Sequence, residues 1–378
     1  MLFAVLVALA ILLLGGRAAV TVRDADIVDF RCFWEAGRLV ATGGDPYDRT
    51  AWANAVYTDP ERMPHCALTF IYPLWTAAAM APLSALDERA ALAVWEVLLL
   101  LCTLGAVALF ARTWSMVGGA RPLLVLLLWS QPTFSAIGNA QFGPLILLAV
   151  AALAYGLARA GARAPAIGWL LLLLKPHITA LVMLGSLIAM PRRLAAAVLG
   201  GAALIAAASV AVRPSWPFDL VRENFAGQQL LGDRGLGTLW TLAADLGLPA
   251  TLGGAVAVLL AAVVFALARP RGLDARGLIA ALVAASFVVT PYARPHDLVI
   301  LAVCWAAALA RAKVAGRGER SALLAATIVV ALILPWAVTL LSLFGLPLSL
   351  FVLVSLATAA LTVVVLRAPS REASQPLG

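Results

Sequence analysis

A dozen apolar stretches follow one another along the chain, near 2–20, 70–85, 89–111, 122–137, 142–158, 166–190, 194–212, 250–268, 277–291, 297–310, 321–343 and 347–366. This repetition decides what the chain can fold into. A helix needs about 20 apolar residues to cross a bilayer, so 378 residues allow roughly ten to twelve spans. Charged residues make up 12% of the chain, about half the share of a soluble domain. With a mean hydropathy of +0.99, that excludes a soluble globular protein, a disordered chain and a secreted disulfide scaffold. The expected fold is an all-α polytopic membrane protein. A single transmembrane domain occupies 1–367, and 368–378 forms a disordered tail. The first run, 2–20, reads as a retained anchor rather than a removed signal. No internal repeat is visible.

The net charge is +8, and the basic residues sit in short connectors rather than in a stripe with interleaved aromatics. The positive-inside rule accounts for them better than nucleic-acid binding does. Arg269, Arg271, Arg276, Arg311, Lys313, Arg317 and Arg320 mark 269–276 and 311–320 as cytoplasmic. The connector 290–297 between them then faces outside. Counting back, so does 213–249, and with an outward first span so does 21–69. The sides of 85–165 stay ambiguous, because several runs there are short enough to be half-spans. Within 21–69, the periodicity of Phe30, Phe33, Trp34, Gly37 and Val40 predicts a short amphipathic helix over 29–41. It lies either at the membrane interface or against the bundle. Cys32 and Cys66 share this polar segment; the favoured expectation is two unlinked thiols, with an oxidised pair as the alternative.

A charge inside a bilayer costs several kcal/mol, so charges kept within apolar runs need a reason. The clearest is Lys175, in Leu174-Lys175-Pro176-His177. Pro176 frees a backbone carbonyl, and broken helices are tolerated at membrane depth where they line a cavity. The run 166–190 therefore reads as two half-helices with Lys175 and His177 at an apex pointing outward. Lys175 then offers a cation to an anion near the outer leaflet, or else it snorkels to the surface. A second cluster, Thr290-Pro291-Tyr292-Ala293-Arg294-Pro295-His296-Asp297, combines a guanidinium, an imidazole and a carboxylate. His296 is a candidate base, tuned by Asp297 or Arg294. The other reading is an interfacial loop with Asp297 as a cap and Tyr292 and Arg294 as anchors.

In Gly138-Asn139-Ala140-Gln141 the two amides either contact sugar or phosphate oxygens or satisfy helix ends. Asp29 either accepts a proton from a hydroxyl or caps its helix. Asp24-Ala25-Asp26 spells a D-x-D, but two acids at that spacing are common by chance, and no metal is expected. Glu96 reads as a paired or partly hydrated core carboxylate without a role. No Walker loop, Rossmann glycine pattern, metal-spaced His/Cys set or G-x-S-x-G is present. No cofactor is expected, and the driving energy comes from the substrate or a gradient.

Several of these segments carry a resemblance. Asp29-Phe30, Ala36-Gly37, Gly43-Gly44-Asp45-Pro46-Tyr47, Phe70-Ile71-Tyr72-Pro73-Leu74, Gly138-Asn139-Ala140-Gln141, Lys175-Pro176 and Thr290-Pro291-Tyr292-Ala293-Arg294-Pro295-His296 follow the order seen in glycosyltransferase family 87. Each motif is short; the specificity lies in order and spacing. The resemblance implies a C-type glycosyltransferase bundle with short interfacial helices on its outer face. It also implies inverting transfer of a hexose, mannose in the known members, from a polyprenyl-phosphate donor to a hydroxyl of a glycolipid or glycan. By it, His296 and Asp29 are catalytic, with His296 the favoured base, and Lys175 with Arg294 holds the donor phosphate. Asn139, Gln141, His177 and Tyr292 contact sugar or phosphate. The implied setting is a bacterial inner (plasma) membrane with the site facing the periplasm or exterior. The sequence departs from the family in having a single His296 where a pair is common, and one proline after Tyr72 instead of two. Donor and acceptor are therefore open to differ.

Two rivals to the enzyme are a secondary transporter or flippase of a lipid-linked or small anionic substrate, and a non-catalytic lipid-binding or scaffold subunit. A transporter would place its ionisable groups at the midplane of repeated halves. Polar clusters in outer connectors and the lack of a repeat favour the enzyme.

Overall fold

The computed structural model describes residues 2–23, 28–57, 66–67, 69–116, 120–159, 163–222, 236–268 and 273–367. Among them every regular element is helical. Among the described residues six helices are long and apolar enough to cross a membrane: α1 (Leu2–Arg23), α5 (Glu88–Thr113), α11 (Arg192–Val212), α14 (Ala250–Ala268), α17 (Arg317–Ser342) and α18 (Leu348–Arg367). Shorter apolar helices complete the bundle: α6 (Ala120–Trp129), α8 (Gly143–Ala158), α9 (Arg163–Leu171), α10 (Pro176–Ala189) and α15 (Ala275–Val289). The chain is a polytopic membrane protein.

Apolar residues surround most of these helices, so position in the bundle, not amphipathicity, decides which ones the protein buries. α15 and α16 (Ala302–Val314) bury most of their side chains. α11 buries only Val198 and Ser209, and α1 only Ala10, Leu14 and Thr21, so their apolar surface is left for lipid. Close helix contact is bought with glycine at Gly168. A Cβ there would lie 2.5 Å from the Ala149 carbonyl oxygen, so α9 sits directly on the α8 backbone.

One end of the bundle is held by arginines on helix-terminal carbonyls, which lack partners within their own helix. Arg276 donates to Thr113 O (3.4 Å), Arg159 to Arg112 O (3.1 Å) and Arg367 to Leu267 O (3.3 Å). The Arg121 guanidinium lies 5.4 Å from the centre of the Phe3 ring, so α1 and α6 start at the same end.

The opposite end gathers α2 (Phe30–Ala41), α3 (Arg49–Val56), α4 (Leu74–Met80), α12 (Trp216–Val221) and α13 (Leu239–Asp245). Here Arg213 pairs with Asp45, and with Asp219 at 2.9 Å. The Tyr47 ring stacks on Trp216, with centroids 6.5 Å apart. Gly237 N–H donates to Ala293 O at 2.9 Å. Segments from 21–69, 213–249 and 290–297 therefore meet at one end.

Two expectations change. The run 70–85 is not a span: it is an extended strap followed by the seven-residue α4 and a 3-10 turn. The run 122–137 breaks at Ser130, whose side chain caps the new helix α7 (Gln131–Gly138). The D-x-D at Asp24 and Asp26 and the tail 368–378 lie outside the described residues.

Candidate active site

The site forms where the chain is broken. α9 ends at Leu171, a 3-10 turn covers Leu172–Leu174, and Lys175 adopts φ −140°, ψ 63° before Pro176 opens α10. Proline supplies no N–H, so several carbonyls lose their helical partner. Neighbouring side chains satisfy them: Trp75 Nε1 donates to Leu173 O (2.8 Å), and Thr76 Oγ1 to Leu174 O (3.1 Å). Thr179 Oγ1 donates to Leu172 O (2.9 Å). α4 thus braces the break, and the two half-helices expected from Lys175-Pro176 are present.

Lys175 neither snorkels nor stands open. It is 0% exposed, and its Nζ donates to Asp297 Oδ1 at 2.5 Å. The second carboxylate oxygen accepts the Arg294 N–H at 3.0 Å, so Asp297 also caps the turn Pro295–Leu301 that begins with it. The capping expected of Asp297 is present; its pairing with Lys175 is new. His296 Nε2 lies 3.7 Å from the same Oδ1. A Cβ on Gly143 would sit 2.8 Å from His296 O, so glycine is what lets this turn rest on the start of α8. The expectation of an open lysine cation for a phosphate is corrected: a fully buried ammonium needs a counter-charge, and Asp297 supplies it within the protein. Arg294 is half-exposed, and its Nε donates to the Tyr292 hydroxyl at 3.1 Å. The His177 ring packs edge-on against Tyr292 (5.2 Å between centroids), and its Nε2 is buried without a hydrogen-bond partner among the described residues.

Asp29 occupies the N-cap position of α2, yet its side chain makes no cap hydrogen bond. Instead Asp29 Oδ2 accepts Gln141 Nε2 at 2.5 Å. The Gln141 side-chain oxygen, Oε1, is buried without a partner among the described residues. Asn139 behaves differently. Its amide donates back to Ser135 O at 2.8 Å, closing the end of α7. The Asn139 side-chain N–H thus serves the helix end, one of its two expected roles; Gln141 is the amide turned toward another functional group.

Tyr72, part of a family-like motif in the sequence but given no role there, is central to the site. Its ring packs on Phe33 (5.5 Å) from the Asp29 helix, on Phe142 (6.1 Å) beside Gln141, and on His177 (6.0 Å). Lys175 Nζ lies 5.7 Å from its centre. Tyr72 is therefore the side chain between the Asp29 half of the site and the Lys175 half. The signal available in the sequence was an aromatic placed directly before a proline in an apolar run shorter than a span.

The strap carrying Tyr72 is tied from several sides. Trp52 Nε1 donates to Ala67 O (2.8 Å), Tyr57 OH to Cys66 O (2.8 Å), and Tyr47 OH to Tyr72 O (2.6 Å). Burial and the adjacent Asp45 carboxylate push the Tyr47 phenol up, so it stays a donor. Cys32 and Cys66 form a disulfide with Cα atoms 5.7 Å apart, which corrects the expectation of free thiols. α2 turns Cys32 to its buried face, and these donors hold the strap beside it. Glu96 is buried, as expected of a core carboxylate, and neither oxygen has a hydrogen-bond partner among the described residues.

A carboxylate oriented by an amide, a guanidinium at the rim and a buried aromatic floor suit acid–base and anion chemistry on a polar substrate. The sequence model of glycosyltransferase family 87 matches residues 70–291, more than half of the chain. The chain belongs to glycosyltransferase family 87. It is thus a membrane glycosyltransferase, and the bilayer together with a sugar donor and acceptor are its partners. The matched region contains Tyr72, Gln141, Lys175 and His177, while Asp29 and His296 flank it. No curated protein and no solved structure matches the chain.

Proposed function

We propose that this glycosyltransferase moves a hexose, with mannose the first candidate, from a polyprenyl-phosphate donor to a hydroxyl of a glycolipid or glycan. The reaction takes place at the outer face of a bacterial plasma membrane. The observation that carries the reading is Asp29, a carboxylate withdrawn from helix capping and oriented by Gln141 at the end of the bundle opposite the arginine-rich connectors. Arginine-rich ends stay cytoplasmic, which supports an outward site. The Cys32–Cys66 disulfide supports the same side, because disulfides persist in oxidising compartments.

In this reading the acceptor hydroxyl oxygen attacks the anomeric carbon and its proton passes to Asp29. The bond from that carbon to the phosphate oxygen breaks, its electron pair leaves with polyprenyl phosphate, and the configuration inverts. The base role moves from His296 to Asp29 because an ionised carboxylate is an acceptor only, whereas His296 is packed against an Asp297 already committed to Lys175. Arg294 at the rim and His296 bear on the phosphate, while Lys175 fixes Asp297 and through it the turn that carries both. Gln141 and His177, each with a buried unpartnered atom, and Tyr292 face the sugar.

Purified protein in detergent, given polyprenyl-phosphate sugars and a glycolipid extract, should transfer the sugar. Asp29→Asn should abolish transfer, and His296→Ala should cut it at least tenfold, with both variants folded. Full turnover in both variants would reject the assignment.

A further inference from the structure

We propose that Tyr72 is a catalytic residue whose phenol donates a hydrogen bond to the acceptor hydroxyl while that hydroxyl donates to Asp29. This rests on the transfer reading above and adds a group to it. The geometry comes first. Tyr72 is 4% exposed, and its ring is wedged between Phe33, Phe70 and Phe142 on one side and His177 on the other, under the Lys175 ammonium. Phe33 is one turn along α2 from Asp29, and Phe142 follows Gln141, the amide that holds Asp29. The aromatic floor therefore fixes the ring next to the proposed base.

Burial first, and then the carboxylates of Asp297 and Asp29, push the Tyr72 phenol well up, against the opposing guanidinium of Arg294. A phenol flanked by two carboxylates keeps its proton at neutral pH and acts as a donor. An attacking hydroxyl has one proton and two lone pairs. With the proton directed at Asp29 and one lone pair engaged by Tyr72, the remaining lone pair is the one free to reach the anomeric carbon. Orientation of this kind is a recognised source of rate.

The backbone around Tyr72 is built to hold this position. The Tyr72 carbonyl accepts the Tyr47 hydroxyl at 2.6 Å, and Phe70 N–H donates to Pro46 O at 3.0 Å. Arg213 lies 6.0 Å from the centre of the Tyr47 ring while pairing with Asp45 and Asp219. The disulfide fastens the other end of the strap to α2. The strap that carries Tyr72 is thus tied to the 46–47 segment and to α2.

Tyr72→Phe removes one oxygen and keeps the ring contacts and the main-chain bonds, so it should fold. Steady-state transfer by wild type and Tyr72→Phe is measured across pH with a polyprenyl-phosphate-mannose donor and its glucose counterpart, alongside thermal unfolding. The expected result is a fall in kcat of about 10- to 100-fold, KM for the acceptor within threefold, and an unchanged unfolding temperature. If Tyr72→Phe stays within twofold of wild-type kcat, or loses activity only in step with stability, the Tyr72 assignment is overturned while the transfer reading stands. If wild type transfers neither sugar, the donor reading fails and the role of Tyr72 falls with it.

Discussion

Replacing Lys175 by Met and Asp297 by Leu, singly and together, separates a buried ion pair from two independent core residues. Both side chains are wholly buried and meet at 2.5 Å. Breaking a buried pair from one side costs about 3–5 kcal/mol, because the remaining charge loses its partner. Each single variant should show that loss, and simple addition would put the double variant at about 6–10 kcal/mol. The double variant removes both charges and replaces them with apolar volume. What remains is the Arg294 N–H that Asp297 accepts, and leaving such a donor unsatisfied costs about 1–3 kcal/mol. The double variant should therefore be more stable than either single variant, with a coupling of about 3–9 kcal/mol. Equilibrium unfolding in mixed detergent micelles gives the three values. Additivity to within about 0.5 kcal/mol would refute the pairing. Transfer assayed on the same proteins then tells structure from chemistry: a stable double variant without activity means the charges shape the site, not only the fold.

Two further outcomes follow from the outer end of the bundle. Reducing the disulfide, or replacing Cys32 and Cys66 by alanine, should lower stability by up to about 4 kcal/mol on a chain-entropy basis for a separation of 34 residues. Unfolding with and without reductant reads this directly, and an unchanged midpoint would show that the strap is held by its hydrogen bonds alone. Asp219 gives a pH signature. Burial opposes its ionisation, but hydrogen bonds from Ser215 and Arg213 and the charges of Arg213 and Arg222 prevail, holding its carboxyl below the ordinary value. A depressed carboxyl stabilises the fold above its unfolded pKa and loses that contribution as pH falls through the folded one. Asp219→Asn should therefore weaken the protein near pH 7 and narrow its gap from wild type as the medium is acidified below about pH 4. Parallel stability curves would contradict this.

The helical membrane fold was legible because apolar runs of span length leave few alternatives. The break at Lys175-Pro176 was legible for a related reason: a charge and a proline have no business in the middle of a continuous span. The amphipathic α2 emerged from its periodicity, with Phe30 and Phe33 on the buried side. Hydropathy failed at 70–85, because an apolar strap that lies over aromatic neighbours has the same composition as a short span. It also could not pair residues. Gln141 and Asp29 are 112 positions apart, and Lys175 and Asp297 are 122 apart. Nothing local in either segment names its partner. The need for a counter-ion was readable at Lys175; that Asp297 would meet it depended on how the turn after Arg294 rests on Gly143. Asn139 and Gln141 were indistinguishable by chemistry, and only the end of α7 separates the amide that closes a helix from the one that reaches Asp29.

The Lys175–Asp297 distance along the chain has a consequence for how copies of this protein are made. During synthesis the lysine enters the membrane well before its aspartate exists, so a half-finished chain carries a bare ammonium in oil. Only when the last third has threaded into place is that charge quenched. Completion is thus marked by an electrostatic event buried out of reach.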